Sequence, residues 1–244
     1  MVKAQPDGYT LFVGEFGPNV VARSLFPKLP YDPARDFAHV TQLVSFPLVL
    51  VVPAAAPIGG LKGLIEQAKS KPDFVKYSTG GIGSSPHLFI ALMNLTAKIN
   101  TVAVHYRGGA PSLVGLIGSE VDYTMLSVST ALPQLGAGRI RALAVTSATA
   151  ISRLPNVPPV ASVLPGYEAL ALHGLHAPAN TPRAIVTRLY QDVGRVLRSA
   201  EIRERFDGLA MDVSASSPEE FTAFIRKQIA TWAAVARAAN VRAD

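Results

Sequence analysis

The chain has 244 residues, of which 49% are hydrophobic and 16% are charged. This composition is typical of a globular protein, excludes intrinsic disorder, and at this length favours two lobes or one large α/β domain. Because the sequence contains no cysteine, disulfides, thiolate metal sites and cysteine nucleophiles are excluded. The formal net charge is +6, but the basic residues are not clustered and aromatic residues make up only 7%, so we expect no nucleic-acid partner.

Apolar runs of strand length alternate with helical patterns through much of the chain. The β-branched run at 49–52 is typical of a strand buried on both faces. The predicted strands cover residues 9–13, 49–52, 75–78, 102–106, 121–126 and 143–146, and the predicted helices between them cover 61–69, 86–95 and 111–117. This alternation predicts a mostly parallel sheet with helices on its faces.

The last third of the chain is predicted to be helical. Thr181 and Pro182 suit an N-cap and a first helical position, and Ser217 with Glu220 forms a capping box. Apolar side chains then recur at helical spacing and are interpreted as core positions. The second of these stripes comprises Phe221, Phe224, Ile225, Ile229, Trp232 and Val235.

Membrane insertion is not expected from the sequence. The most apolar stretch, residues 46–56, is short and is interrupted by Pro47 and Pro53. The first eight residues lack the apolar core of a signal peptide, which taken alone favours a cytoplasmic protein.

The most informative segment is residues 77–87, which reads YSTGGIGSSPH. It runs from a predicted strand through a glycine-rich loop into a helix capped by Ser85 and begun by Pro86. The first turn of a helix leaves backbone N–H groups without partners and carries positive potential. With the nearby hydroxyls of Ser78, Thr79 and Ser84, this arrangement suits an anion. An ordinary strand-to-helix connection with a good cap explains the same residues equally well.

The charges around this loop also favour an anionic ligand. There is no acidic residue between Asp73 and Glu120, whereas three basic residues lie in that interval. A second glycine-rich loop, residues 106–111 (YRGGAP), also precedes a helix, and two such helix starts could converge on one anion. Alternatively, both glycine pairs simply allow tight turns. Neither loop has the glycine spacing of a dinucleotide or phosphate-binding motif.

The five histidines do not form a convincing metal site, because His173 and His176 are separated by Gly174 and no third ligand is near. His87 follows the glycine loop and could bind a ligand or only satisfy the loop backbone. A Ser-His-Asp triad stays open, although no Gly-x-Ser-x-Gly motif is present. The rival hypothesis is therefore an enzyme that uses His87 or His173 as a base.

Several blocks together resemble the Bug (TctC-like) family, the extracytoplasmic solute receptors of tripartite tricarboxylate transporters. The blocks cover nearly the whole chain in the family's order. They are residues 6–11 (PDGYTL), 29–33 (LPYDP), 36–37 (DF), 77–88 (YSTGGIGSSPHL), 106–111 (YRGGAP), 138–146 (GRIRALAVT), 154–158 (LPNVP), 174–178 (GLHAP) and 217–221 (SPEEF).

The resemblance implies an α/β fold of the periplasmic-binding-protein type II class, a clamshell of two lobes with a central cleft. Crossover strands near 46–52 and 169–175 would divide the chain into a first lobe of residues 1–45 plus 172–244 and a second lobe of residues 46–171. In the family, loops facing the cleft hold a ligand carboxylate through amides, hydroxyls and waters. The matching ligand-binding positions here are Gly14, Ser78, Thr79, Gly80, Ser85, His87, Ser127 and Gly174.

The resemblance further implies a periplasmic monomer that needs no cofactor or metal, is not an enzyme, and delivers a small carboxylate to membrane transporter subunits or to a sensor. The family's signal peptide, first strand and first glycine-bearing loop have no counterpart here, so we expect an incomplete first lobe and, as a third possibility, a remnant that does not bind. His105 replaces a usual proline, Leu172 a common tryptophan, and residues 159–162 depart from the family's pattern.

Overall fold

The computed structural model describes residues 1–243. The strands, in chain order, are β1 (Phe12–Glu15), β2 (Phe37–Pro53), β3 (Lys76–Thr79), β4 (Val102–His105), β5 (Tyr123–Ser127), β6 (Ile140–Val145), β7 (Leu170–Pro178) and β8 (Asp212–Val213). The helices are α1 (Ala22–Leu25), α2 (Leu61–Ser70), α3 (Ser85–Ala97), α4 (Gly109–Ile117), α5 (Val128–Gly136), α6 (Arg183–Leu197), α7 (Ala200–Gly208) and α8 (Pro218–Ala238). A π-helical turn (Gly17–Val21) precedes α1, and a 3₁₀ turn (Val160–Ser162) precedes β7.

The chain folds as two compact units. The central unit comprises residues 46–170, and the terminal unit combines residues 1–45 with the described residues from 171 onward. The change from one unit to the other falls inside β2 and at the start of β7. Whether these units act as the two lobes of a clamshell stays a prediction.

The sheet of the central unit is mixed rather than mostly parallel, so that prediction is wrong. β3 pairs in parallel with both β4 and β5, as strand–helix alternation predicts. The second half of β2, however, runs antiparallel to both β5 and β6. Strand–helix alternation fixes only the direction of strands that are joined by crossover helices, and β2 enters this sheet from the terminal unit instead. A core that includes Val49, Val51 and Leu116 lies under these strands.

The terminal unit is built on β7, which lies between β1 and β2. β1 pairs with β7 in antiparallel fashion from Phe12 to Glu15, so the strand predicted at 9–13 begins three residues later, at Phe12, opposite His176. The last helix of this unit, α8, buries Phe221, Ile225 and Trp232 of the predicted core stripe and leaves its other three residues half-buried. The ring of Phe16 meets that of Trp232 edge-on, at 5.0 Å between centroids.

The two predicted helix starts have different outcomes. The Ser217 hydroxyl accepts from the Glu220 amide and the Glu220 carboxylate accepts from the Ser217 amide, so the capping box is confirmed. Thr181, in contrast, is not the cap of α6. Pro182 has ψ 137° and is itself the N-cap, because extended backbone at that residue delays the helix to Arg183. In residues 1–243 no helix is both long and apolar enough to cross a membrane.

Candidate functional site

Three helices of the central unit begin at the same edge of its sheet. β5, β3 and β4 are adjacent parallel strands, and the next element in the chain after each is a helix, α5, α3 and α4 respectively. Because the carboxyl ends of parallel strands share an edge, the three helix starts gather there. We call this region the carboxyl edge; it comprises residues 79–87, 105–112 and 127–130.

The electrostatics of the carboxyl edge favour an anion. Each helix start contributes unpaired amides and about half a positive elementary charge from the peptide dipoles. The first turns, residues 84–88, 108–112 and 127–131, contain no aspartate or glutamate that would offset this potential. Ligand sites of open α/β sheets lie at such edges, beyond the carboxyl ends of the strands.

Residues 80–84 form a tight loop between β3 and α3. Gly81 and Gly83 have φ of +131° and +80°, which L side chains rarely adopt. Ser84, not Ser85, is the N-cap of α3, because its backbone is still extended and its carbonyl accepts from Leu88. The Ser84 hydroxyl donates to the Gly81 carbonyl at 2.8 Å instead of capping the helix. Ser85 therefore occupies the first helical position, where its amide lacks an intrahelical acceptor.

The second glycine loop is hydrogen-bonded to the first. The Gly108 amide donates to the Gly80 carbonyl at 3.2 Å, and the Tyr106 amide donates to the Thr79 carbonyl at 3.0 Å. A Cβ on Gly80 would lie 3.3 Å from the Gly108 carbonyl carbon, which is tighter than ordinary contact. The close approach of the two loops therefore favours glycine at position 80 and brings two of the helix starts together. That both bind one anion stays a prediction.

Ser78 and Thr79, two of the predicted ligand residues, use their hydroxyls inside the protein. Both side chains are fully buried. The Ser112 hydroxyl donates to Ser78 Oγ at 2.8 Å, and Ser78 Oγ itself donates to the Ser112 carbonyl. Thr79 Oγ1 accepts from the Gly81 amide at 3.1 Å and lies 2.8 Å from Nδ1 of His105. These hydroxyls therefore shape the carboxyl edge from beneath.

Ser127 lies at the third helix start. It is the N-cap of α5, and its hydroxyl accepts from the Thr130 amide. Its oxygen also lies 2.7 Å from the Thr130 hydroxyl and 3.2 Å from that of Ser129. The result is a cluster of three hydroxyls at a helix N-terminus, a group of donors that can turn toward an anion.

His87 supports the glycine loop rather than acting as a free base. Its Nδ1 accepts from the Gly83 amide at 3.2 Å, which places the ring proton on Nε2. Burial, with a smaller effect of neighbouring His105, lowers the pKa of His87 to about 4. The sequence left two roles open for His87, ligand binding and hydrogen bonding to the loop backbone. The structure shows the hydrogen bond to the loop backbone.

Sequence reasoning noted His105 only as a departure from the family and missed its place at the carboxyl edge. Its ring lies edge-on to His87 with 4.7 Å between centroids, and partial burial lowers its pKa. The available signal was its position at the end of a strand directly before a glycine loop. Neighbouring parallel strands end together, and His105 is indeed the register partner of Thr79.

The remaining two predicted ligand residues, Gly14 and Gly174, belong to the terminal unit. They face each other across the β1–β7 pair. A Cβ on Gly14 would overlap the side chain of Asn19, and one on Gly174 would overlap the ring of Phe221. Close packing is therefore sufficient to explain both glycines, and a ligand role for them stays a prediction.

A buried polar group beneath these glycines was also missed from the sequence. Nε2 of His176 lies 3.0 Å from Nδ2 of Asn19, and its Nδ1 lies 2.9 Å from Nδ1 of His39. Burial is the larger cause that lowers the pKa of His39 to about 4 and that of His176 to about 3. Asn19 and His39 lie 157 and 137 positions before His176, so no local sequence pattern links these residues. Among residues 1–243, no three His, Asp or Glu side chains are placed to hold a metal ion.

Comparison with known proteins agrees with this architecture. Residues 1–241 match the family described as the tripartite tricarboxylate transporter family receptor, TctC. A Pseudomonas sp. protein from the tcbD–tcbE intergenic region is 32% identical over 234 residues, which are 95% of this chain and 69% of that protein.

Two similar proteins have solved structures that contain a bound acid. A structure from R. palustris with adipate has a TM-score of 0.93 and 31% identity, and the match covers 99% of this chain and 81% of that one. MatC from Rhodopseudomonas palustris with bound malate has a TM-score of 0.88 and 31% identity, covering 96% and 81% respectively. The chain therefore has the periplasmic-binding-protein fold and belongs to the TctC family of solute-binding receptors for tripartite tricarboxylate transporters.

Proposed function

We propose that this chain captures a small carboxylate and that the carboxylate group binds at the carboxyl edge of the central unit. The observation that carries the proposal is the gathering of three helix N-termini at that edge, without an acidic residue in their first turns. Unpaired amides and aligned peptide dipoles bind anions without needing a charged side chain. The adipate and malate in the related structures have the same ligand chemistry.

The ligand residues divide into three groups in this proposal. The amides of Ser85 and His87, with the hydroxyls of Ser85 and Ser127, bind the carboxylate directly. Ser78, Thr79 and Gly80 act on the ligand indirectly. The hydroxyls of Ser78 and Thr79 are bonded within the protein and support the loop, and Gly80 allows the second glycine loop to lie close. Gly14 and Gly174 would contribute backbone groups from the terminal unit.

The two compact units of the chain suggest how a receptor of this kind would capture its ligand. We propose that residues 1–45 with 172–244 and residues 46–171 act as two lobes that close over the ligand. The closed form would then deliver the carboxylate to the membrane subunits of a tripartite tricarboxylate transporter. The chain would work in the periplasm as a monomer, without a cofactor. His87 is a poor candidate for a catalytic base, because its Nδ1 already accepts from the Gly83 amide.

The proposal is tested by thermal unfolding with adipate and malate, each beside its uncharged diamide. A ligand that binds only the folded state at a hundred times its dissociation constant stabilises the protein by about 2.7 kcal/mol. We expect at least one of the two acids to raise the unfolding midpoint by several degrees and neither diamide to do so. Equal shifts with acid and diamide would contradict an anion site, and no shift with either acid would contradict the proposed ligand class.

A further inference from the structure

We infer that His105 is a positioning residue for ligand binding, which holds the glycine loop of the carboxyl edge in its binding geometry. This inference rests on the proposed function for its consequence on affinity. Its structural part concerns residues 80–84 and can be measured without a ligand.

The loop is held at its two ends by two different side chains. At the beginning, Thr79 Oγ1 accepts from the Gly81 amide at 3.1 Å. At the end, His87 Nδ1 accepts from the Gly83 amide at 3.2 Å. Both glycines have positive φ, and glycine loses more conformational freedom on folding than any other residue. These two hydrogen bonds therefore offset the large loss of conformational entropy that ordering two glycines requires.

His105 contacts both of these side chains. Its Nδ1 lies 2.8 Å from Thr79 Oγ1, and its ring packs edge-on against that of His87 at 4.7 Å between centroids. Thr79 belongs to β3 and His87 to α3, so one residue of β4 joins the supports of both loop ends. The β3–β4 pairing holds His105 beside Thr79, because the two residues are register partners.

The surroundings of His105 suit this role better than a role in the core. The residue is solvent-exposed at the end of β4, which lies at the end of the strand order in this sheet. Removing a side chain from such a position costs little in packing. It takes away the shortest contact of the Thr79 hydroxyl, which is left with the Gly81 amide and carbonyl at 3.1 and 3.3 Å, and it uncovers one face of His87. Loop order and overall stability should therefore respond differently to substitution.

The experiment compares three variants with the wild-type chain. His105→Leu removes the polar contact to Thr79, and His105→Asn keeps a side-chain hydrogen-bonding group close to the position of Nδ1. Val102→Ala, at the opposite end of the same strand, is the control. We would measure amide hydrogen exchange of Gly81 and Gly83, the unfolding midpoint, and the dissociation constant for the acid that binds the wild type.

We expect His105→Leu to speed exchange of both glycine amides about tenfold and to weaken acid binding about tenfold, as the loss of one hydrogen bond would. The unfolding midpoint should change little, His105→Asn should restore most of both losses, and Val102→Ala should change neither. Unchanged exchange in His105→Leu overturns the inference, as does an equal loss in His105→Asn. If the wild type binds neither acid, the proposed function fails, and the exchange rates alone still decide whether His105 positions the loop.

Discussion

Replacing Gly14 by alanine tests whether this residue is a glycine for reasons of packing. An alanine Cβ at this position would lie 2.7 Å from both Cγ and Oδ1 of Asn19 and closer still to its Nδ2. Ordinary contacts begin near 3.4 Å. Asn19 cannot easily move aside, because it is 1% exposed and contacts His176 through its amide nitrogen.

The expected cost has two parts. Overpacking a well-filled interior costs about 1–3 kcal/mol, and breaking the buried contact between Asn19 and His176 costs about another 1–3 kcal/mol. We therefore expect Gly14→Ala to lower the free energy of unfolding by roughly 2–6 kcal/mol, which is a large part of a typical domain stability of about 5–15 kcal/mol. The assay is urea unfolding without ligand, in which the midpoint should fall by about 1 M or more.

The matched control is Gly63→Ala. Gly63 lies inside α2, and the nearest atom to an added Cβ is the Ile58 carbonyl carbon at 3.8 Å. This substitution should stabilise the protein by about 0.5–1 kcal/mol, since alanine is the better helix former. A Gly14→Ala midpoint equal to that of the wild type would refute the packing argument and would leave the ligand role as the reason for this glycine.

Two further substitutions and one change of pH test the ligand site, a helix cap and the buried histidines. Ser85→Asp places a carboxylate at the first position of α3; it should stabilise the helix by about 0.3–1 kcal/mol yet weaken acid binding by about a hundredfold or more, and calorimetry showing unchanged affinity would contradict the site. Ser217→Ala removes the capping box of α8 and should cost about 0.5–2 kcal/mol in thermal unfolding, whereas an unchanged midpoint would mean that the cap contributes nothing. Because burial keeps His39 and His176 neutral to about pH 4 and 3 while unfolded histidine protonates near 6.5, the unfolded state binds more protons in this window. Stability should therefore fall as the pH drops from 6.5 toward 4, and equal urea midpoints at pH 7 and 4.5 would contradict this.

Local sequence signals predicted the elements whose structure depends on local contacts. The capping box at Ser217 involves residues three apart, and it is present as predicted. β2 shows the opposite case: the apolar pattern predicts only residues 49–52, and the family resemblance only 46–52, of a strand that has 17 residues. Pro47 interrupts its apolar pattern, and its length depends on pairing with strands far away in the sequence. The mixed direction of the sheet was missed for the same reason.

The candidate site shows the same difference between local features, which the sequence predicts, and contacts between distant segments, which it does not. Glycines, hydroxyls and a proline at 77–87 predicted a strand, a tight loop and a helix start, because each of these depends on neighbouring residues. The cap was misplaced by one residue, since Ser84 and Ser85 have the same propensity and only the backbone decides between them. The contact of His105 with Thr79 needed the register of β3 and β4, which no single segment encodes.

Carboxylate binding at the helix starts of the central unit is the basis of the proposed function. The most direct measurement is a titration of the ¹⁵N-labelled chain with adipate or malate, followed through the amide resonances. We expect the largest shifts at Ser85, His87 and residues 127–130, with no such change on addition of the diamide. Shifts confined to other regions, or none in this edge at saturating acid, would contradict it.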